Sequence, residues 1–202
     1  YDADDDESFP TDGTVDAGDR LLRRSESLYD KIGRVYRTKT YAVDPDDGTV
    51  GDAIVSNTWR DDAGRTIKQQ SGGSERFTKM VLDGLGRVVE KYVGYDTDET
   101  AYTDADDVTG DTVITQTETD YGASGNVIQT TRYARKHTAN GTGELTTSTA
   151  RVTYTASWFD DANRPTDYAA YGTNGGSAFS RPGIAPSRSD TVLVTSTEYN
   201  TA

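Results

Sequence analysis

A chain of 202 residues can bury a sizeable core, yet only 33% of it is hydrophobic and 27% is charged, so any sheet keeps much of its surface in water and a helix-covered α/β core is not expected. With 34 acidic against 21 basic residues the net charge is −13, which repels phosphate backbones and anionic membrane surfaces and argues against nucleic acid as a partner. Cysteine is missing, which excludes a disulfide framework and thiolate metal sites, and the apolar runs 80–82 and 192–194 fall far short of the roughly 20 residues that span a bilayer.

The opening Tyr1-Asp2-Ala3-Asp4-Asp5-Asp6-Glu7 has no positive region, no apolar stretch and no initiating Met, so the chain is expected to be an excerpt of a longer one. One short pattern then recurs: an aromatic or large apolar residue, Asp, two variable residues, Gly, Arg. It stands first at 29–34, with Tyr29, Asp30, Gly33 and Arg34. The second copy, at 59–65, sets Trp59 and Arg60 ahead of Asp61, Gly64 and Arg65, and the third, at 82–87, has Leu82, Asp83, Gly86 and Arg87. The fourth, at 121–126, begins with Tyr121 and keeps Gly125 but carries Gly122 and Asn126 in the Asp and Arg places. The fifth, at 159–164, has Phe159, Asp160 and Arg164 with Asn163 for Gly, and Tyr199-Asn200 opens a sixth at 199–202. The Gly places are 31, 22, 39 and 38 residues apart, so the connections between copies vary while the unit persists.

Asp-x-x-Gly between β-rich runs is a turn: Asp accepts backbone N–H groups and Gly takes the left-handed conformation. Asn is the non-glycine residue that best tolerates positive φ, so Asn163 fits the same requirement. The flanks 113–121, 127–133 and 151–159 are rich in Val, Ile, Thr and Tyr, and Val152, Tyr154, Ala156 and Trp158 alternate with Arg151, Thr153, Thr155 and Ser157 at the strand period. Each copy is therefore read as one β-hairpin, and residues 1–202 as a single repeat region. The expected fold is all-β: consecutive antiparallel β-hairpin repeats forming a curved, spiralling sheet or shell segment, with no significant helix. Tyr41, Gly72, Gly94, Tyr133 and Tyr171 stand eight residues past the turn Gly or Asn, and Tyr29, Tyr121 and Phe159 an even twelve before three of them, which predicts one aromatic ladder. The structural turn residues are Asp30, Gly33, Arg34, Asp61, Gly64, Arg65, Asp83, Gly86, Arg87, Gly125, Asp160, Asn163 and Arg164, and the Arg is expected to pair with the turn Asp to set register.

Little in the chain points to catalysis. His137 is the only histidine, so neither a Ser-His-Asp triad nor a multi-histidine metal site has a second imidazole, and no G-x-S-x-G elbow or phosphate loop is present. The chain is read as non-enzymatic, without a catalytic or cofactor-binding residue. Acidic loops at 2–6, 44–48, 96–99 and 104–107 carry oxygen ligands at Ca²⁺-like density, with Asp44, Asp46, Asp47, Asp104, Asp106 and Asp107 as candidates, although none matches the D-x-[DN]-x-[DN]-G loop. Solvated connections that keep a β-surface soluble are the plainer reading of those loops. Asn140-Gly141-Thr142 fits a glycosylation sequon, a three-residue pattern that chance also produces.

The repeated aromatic-Asp-x-x-Gly-Arg unit, followed by a strand ending in Tyr or Gly, resembles the YD repeat of the Rhs, teneurin and polymorphic-toxin families. That resemblance covers nearly the whole chain through three full and two decayed copies. It implies hairpins that spiral side by side into a hollow shell, enclosing a toxin in bacteria or forming part of an adhesion receptor in animals. The chain lacks the Asp-Pro-x-Gly-Leu type motif that ends the Rhs core. The function expected is thus a structural segment of a large exported or cell-surface bacterial protein, building a β-shell or a self-associating extracellular fibre. The alternatives are part of a toxin-enclosing cage, or an adhesion or glycan-binding module. Its partners would be further repeats of the same chain or identical copies, without nucleic acid and without membrane insertion.

Overall fold

A computed structural model describes residues 20–96, 105 and 107–200. Within them the chain is all-β, with eleven strands and a single short 3-10 turn at Asn174–Gly176. It divides into two compact units, Tyr1–Glu75 and Arg76–Ala202. The first holds β1 (Arg24–Tyr29), β2 (Val35–Val43), β3 (Val50–Arg60) and β4 (Thr66–Gln70). The second holds β5 (Arg76–Leu82), β6 (Val88–Tyr95), β7 (Thr112–Tyr121), β8 (Val127–Arg135), β9 (Ala150–Phe159), β10 (Pro165–Gly172) and β11 (Leu193–Ser196). Within each unit every strand pairs antiparallel with the next in sequence, and the last strand does not return to the first.

Five of the hairpins close over the repeated motif, and the reason is local. Gly33 donates its N–H to the Asp30 carbonyl at 3.0 Å, Asp30 donates to the Arg34 carbonyl at 2.9 Å, and Gly33 has φ of +83°. This is a tight turn followed by a left-handed residue, the three-residue hairpin loop that leaves a bulge at its mouth. The same two bonds and the same positive φ recur at Asp61/Gly64, Asp83/Gly86, Gly122/Gly125 and Asp160/Asn163.

The bulge has a consequence for the aromatic pattern. Leu28 faces Arg37 and Asp120 faces Gln129, but Tyr29 pairs with Val35 and Tyr121 with Val127, each after a register shift. Tyr29 and Tyr121 therefore stand on the opposite face from Tyr41 and Tyr133, and Phe159, next to Trp158, likewise departs from the face of Ala169. The expected single ladder is in fact two rows, because the odd turn residue breaks the parity that counting assumed.

One face of each unit is buried. In the first it carries Asn57, Trp59 and Lys68, with Trp59 and Lys68 fully enclosed and the Lys68 ammonium 4.8 Å from the Trp59 ring centre. In the second unit two apolar clusters form, and long connections supply part of each. Val108 and Leu145 lie against Phe77, Tyr92, Val113 and Ala150, while Phe179, Ala185 and Val192 pack against Ala156, Trp158, Ala169 and Tyr171. A chain poor in apolar residues thus covers its sheet with folded-back loops in place of a second sheet.

Candidate functional site

The turn residues form the most regular chemical arrangement in the molecule. Asp30 Oδ1 accepts the N–H groups of Ile32 and Arg34 at 3.0 and 2.9 Å, while its Oδ2 takes Arg34 Nε at 2.6 Å. Asp61 and Arg65, Asp83 and Arg87, and Asp160 and Arg164 repeat the backbone-plus-guanidinium clasp. The backbone N–H of the following arginine is the main cause holding the Asp83 and Asp160 carboxyls below their usual range. At Asp30 and Asp61 burial pushes upward, and the bonds from Arg34 and Arg65 outweigh it.

Each turn also grips the next turn of its unit. Arg34 donates through Nη2 to the Asp61 carbonyl at 3.1 Å, the Arg87 guanidinium lies 4.3 Å from the Tyr121 ring centre, and Arg164 lies 4.2 Å from that of Tyr199. In the other direction, the residue opening one copy donates to the carbonyl just past the arginine of the copy before. Tyr121 Oη reaches Val88 O at 3.1 Å, Tyr199 Oη reaches Pro165 O at 2.9 Å, and Arg60 Nη1 reaches Val35 O at 2.9 Å. Arg60 thereby does the work of a tyrosine hydroxyl, which explains how the second copy tolerates its loss. Where the fourth copy meets the fifth, Asn126, Phe159 and Asn163 replace Arg, Tyr and Gly together, and Asn126 Nδ2 donates to Asn163 Oδ1 instead.

The acidic candidates behave differently. Asp44 Oδ1 and Asp47 Oδ1 accept the N–H groups of Asp46 and Thr49, both at 2.8 Å, and Asp107 Oδ1 accepts that of Thr109 at 2.8 Å. Three of the candidate carboxylates are thus engaged by their own backbone, and Asp46 is exposed. Asp104 and Asp106, with the clusters at 2–6 and 97–99, lie outside the described residues. Among the described residues no three acidic, histidine or cysteine side chains group in a way that could hold a metal ion.

Two polar clusters of the second unit escaped the reading of the motifs. Lys79, two residues past buried Phe77 on the same face of β5, places its ammonium 2.8 Å from Asp111 Oδ2 and 2.6 Å from the Asp107 carbonyl, with both side chains of the pair 3% exposed. On the same face Glu90 and Glu118 stand opposite one another on β6 and β7. Tyr92 Oη donates to Glu90 at 2.5 Å and lies 3.3 Å from Glu144 Oε1, and Tyr133 Oη lies 3.3 Å from Glu118 Oε2. Burial, then the charge of Glu90, raises the Glu118 carboxyl above its usual range, and burial with Glu118 pushes the Tyr133 phenol up to about 12. Strand parity around Phe77 is the signal that could have placed Lys79 inside.

The chain matches no protein-family model and no curated protein. No helix among the described residues is long and apolar enough to cross a membrane.

Proposed function

We propose that this chain is a structural YD-type repeat segment of a large exported or cell-surface bacterial protein, whose hairpins build a β-shell wall or a self-associating extracellular fibre. The observation that carries this reading is the turn-to-turn grip. A guanidinium leaving one turn meets the opening residue of the next, at Arg87 and Tyr121 and again at Arg164 and Tyr199. Tyr29 occupies the equivalent opening place in the first copy, and the residue is 60% exposed. It is suited to receive the arginine of another such turn, either from further repeats or from an identical copy. The motif residues serve this architecture through backbone geometry and packing, and the role is not enzymatic.

Electron microscopy and sedimentation of the purified chain test the self-associating form. Ordered end-to-end assemblies at high concentration, weakened by Tyr29→Ala, are the expected result. A chain that stays monomeric at the highest attainable concentration removes the fibre reading.

A further inference from the structure

Two Asn-Gly pairs stand in the second unit, Asn140-Gly141 and Asn174-Gly175, and by sequence they are chemically equivalent. In such a pair the glycine nitrogen, with no side chain beside it, can attack the asparagine Cγ and close a five-membered ring. The reaction requires that the side-chain amide be free to turn back onto the main chain, where glycine allows the close approach. Asn174 is half-buried and donates through Nδ2 to the carbonyls of Ser177 at 3.3 Å and Ala178 at 3.1 Å. Ser177 N donates to Asn174 O at 3.1 Å and Gly176 N to Thr173 O at 2.9 Å, so the amide and its backbone are fixed together. Asn140 is exposed, and among the described residues neither its side-chain amide nor the Gly141 N–H makes a hydrogen bond. A Cβ built on Gly141 or on Gly175 would meet nothing within 4 Å, so open space does not separate the two pairs. The tether on the Asn174 amide does.

The main chain around Asn140 is nonetheless anchored. Arg135 donates through Nη2 to the carbonyls on either side, those of Ala139 at 3.3 Å and of Gly141, and through Nη1 to Val113 O at 3.0 Å. The same connection carries Leu145 into the apolar cluster with Phe77, Tyr92 and Val113, where Leu145 N donates to Gln116 Oε1 at 2.8 Å. We propose that Asn140-Gly141 is a self-modification site, at which the folded chain converts asparagine into isoaspartate and aspartate without an enzyme. The Gly141 nitrogen bonds to Asn140 Cγ, the Cγ–Nδ2 bond breaks, and ammonia leaves with the proton given up by that nitrogen. Water then opens the ring. Attack at the Asn140 main-chain carbonyl leaves isoaspartate, attack at Cγ leaves aspartate, and either product carries a new carboxylate at position 140. Isoaspartate also adds one carbon to the main chain between the Ala139 and Gly141 carbonyls, so a single Arg135 nitrogen no longer spans both and the connection loosens. The site does not rest on the architectural reading, because it uses none of the turn residues.

Incubation of the purified folded chain in mildly alkaline buffer tests this, with both products scored by peptide mass spectrometry and isoaspartate by enzymatic methylation. Conversion at Asn140 should run about tenfold or more faster than at Asn174, the factor expected where two hydrogen bonds must first be released. Denaturant should bring the two rates together. Asn140→Gln should keep the wild-type melting temperature, because the amide has no partner to lose, and should remove the fast phase of ammonia release. After conversion, amides of residues 137–144 should exchange faster than in the fresh chain. Equal rates at the two asparagines of the folded chain overturn the proposal, as does a fast phase that survives in Asn140→Gln. Unchanged exchange over 137–144 after conversion overturns the loosening of the connection.

Discussion

A Cβ built on Gly64 would lie 3.1 Å from Arg34 Nη1, whereas one on Gly33, at nearly the same φ, meets nothing within 4 Å. The two glycines share a conformational requirement, and only one also makes room for the arginine of the preceding turn. Gly33→Ala should therefore cost about 1 kcal/mol, the penalty of a left-handed L-residue alone. Gly64→Ala should cost about 0.5–1 kcal/mol more, as overpacking is added to it. Chemical denaturation of both variants checks this, and equal losses would mean the Arg34 side chain gives way freely. Asn163 is the natural counterpart of this experiment. With Asn126 in place of a long arginine, the fifth turn has room for a side chain at the glycine place, and Asn is the residue that accepts φ of +66° there. The turn chemistry was legible from the motif, because Asp-x-x-Gly is a local conformational statement. The partner of each arginine beyond its own turn was not, because nothing in the sequence spacing states which neighbouring residue lies against which guanidinium.

Strand pairing produces a charge conflict that no single hairpin contains. Glu90 on β6 faces Glu118 on β7, with Asp120 two residues further along the same face, Tyr133 across on β8 and Glu144 reaching in beside Tyr92. Because the Glu118 carboxyl is raised above its ordinary 4.5 in the folded chain, folding takes up a proton there, and its ionised form opposes folding above the raised value. Stability attributable to Glu118 should thus rise as the pH falls from neutral toward 4.5. The turn aspartates act with the opposite sign, since their lowered values remove stability only below the ordinary 3.8. Glu118→Gln should gain about 0.5 kcal/mol at pH 7, or about 1–2 °C in melting temperature, and flatten the pH profile between 7 and 4.5. Thermal melts across that range decide it: a variant less stable than wild type at pH 7 would show that the carboxylate contributes more through Tyr133 and Gln116 than it loses to Glu90. The sequence displays these glutamates as ordinary strand residues, and only register makes them neighbours.

Across the molecule, each unit grades from flanked strands to an open side. In the second unit β6, β7, β8 and β9 have paired neighbours on both sides and bury Tyr92, Val113, Gln116, Thr131 and Val152, whereas β11 is four residues long and, among the described residues, pairs with β10 alone. In the first unit β1 pairs with β2 and is exposed or half-buried along its length. Local opening should follow this order. Hydrogen exchange is expected to be slowest in β7 and β8, and faster by about tenfold or more in β11, with β1 faster than β3 in its own unit. Equal protection of β11 and β7 would mean that the whole second unit opens only as one cooperative body.

The class of the fold and the positions of the first five motif hairpins followed from the sequence, because a turn with a left-handed fourth residue and strands of period two are decided within a few bonds along the chain, while the sixth copy expected at 199–202 runs outside the described residues. Tertiary structure alone decided the two aromatic rows, the grip of one turn on the next, the buried Lys79–Asp111 pair and the loops that cover the sheet. These depend on the extra residue at each bulge and on connections of unequal length, and both move side chains between faces and neighbours in ways that short-range spacing does not encode.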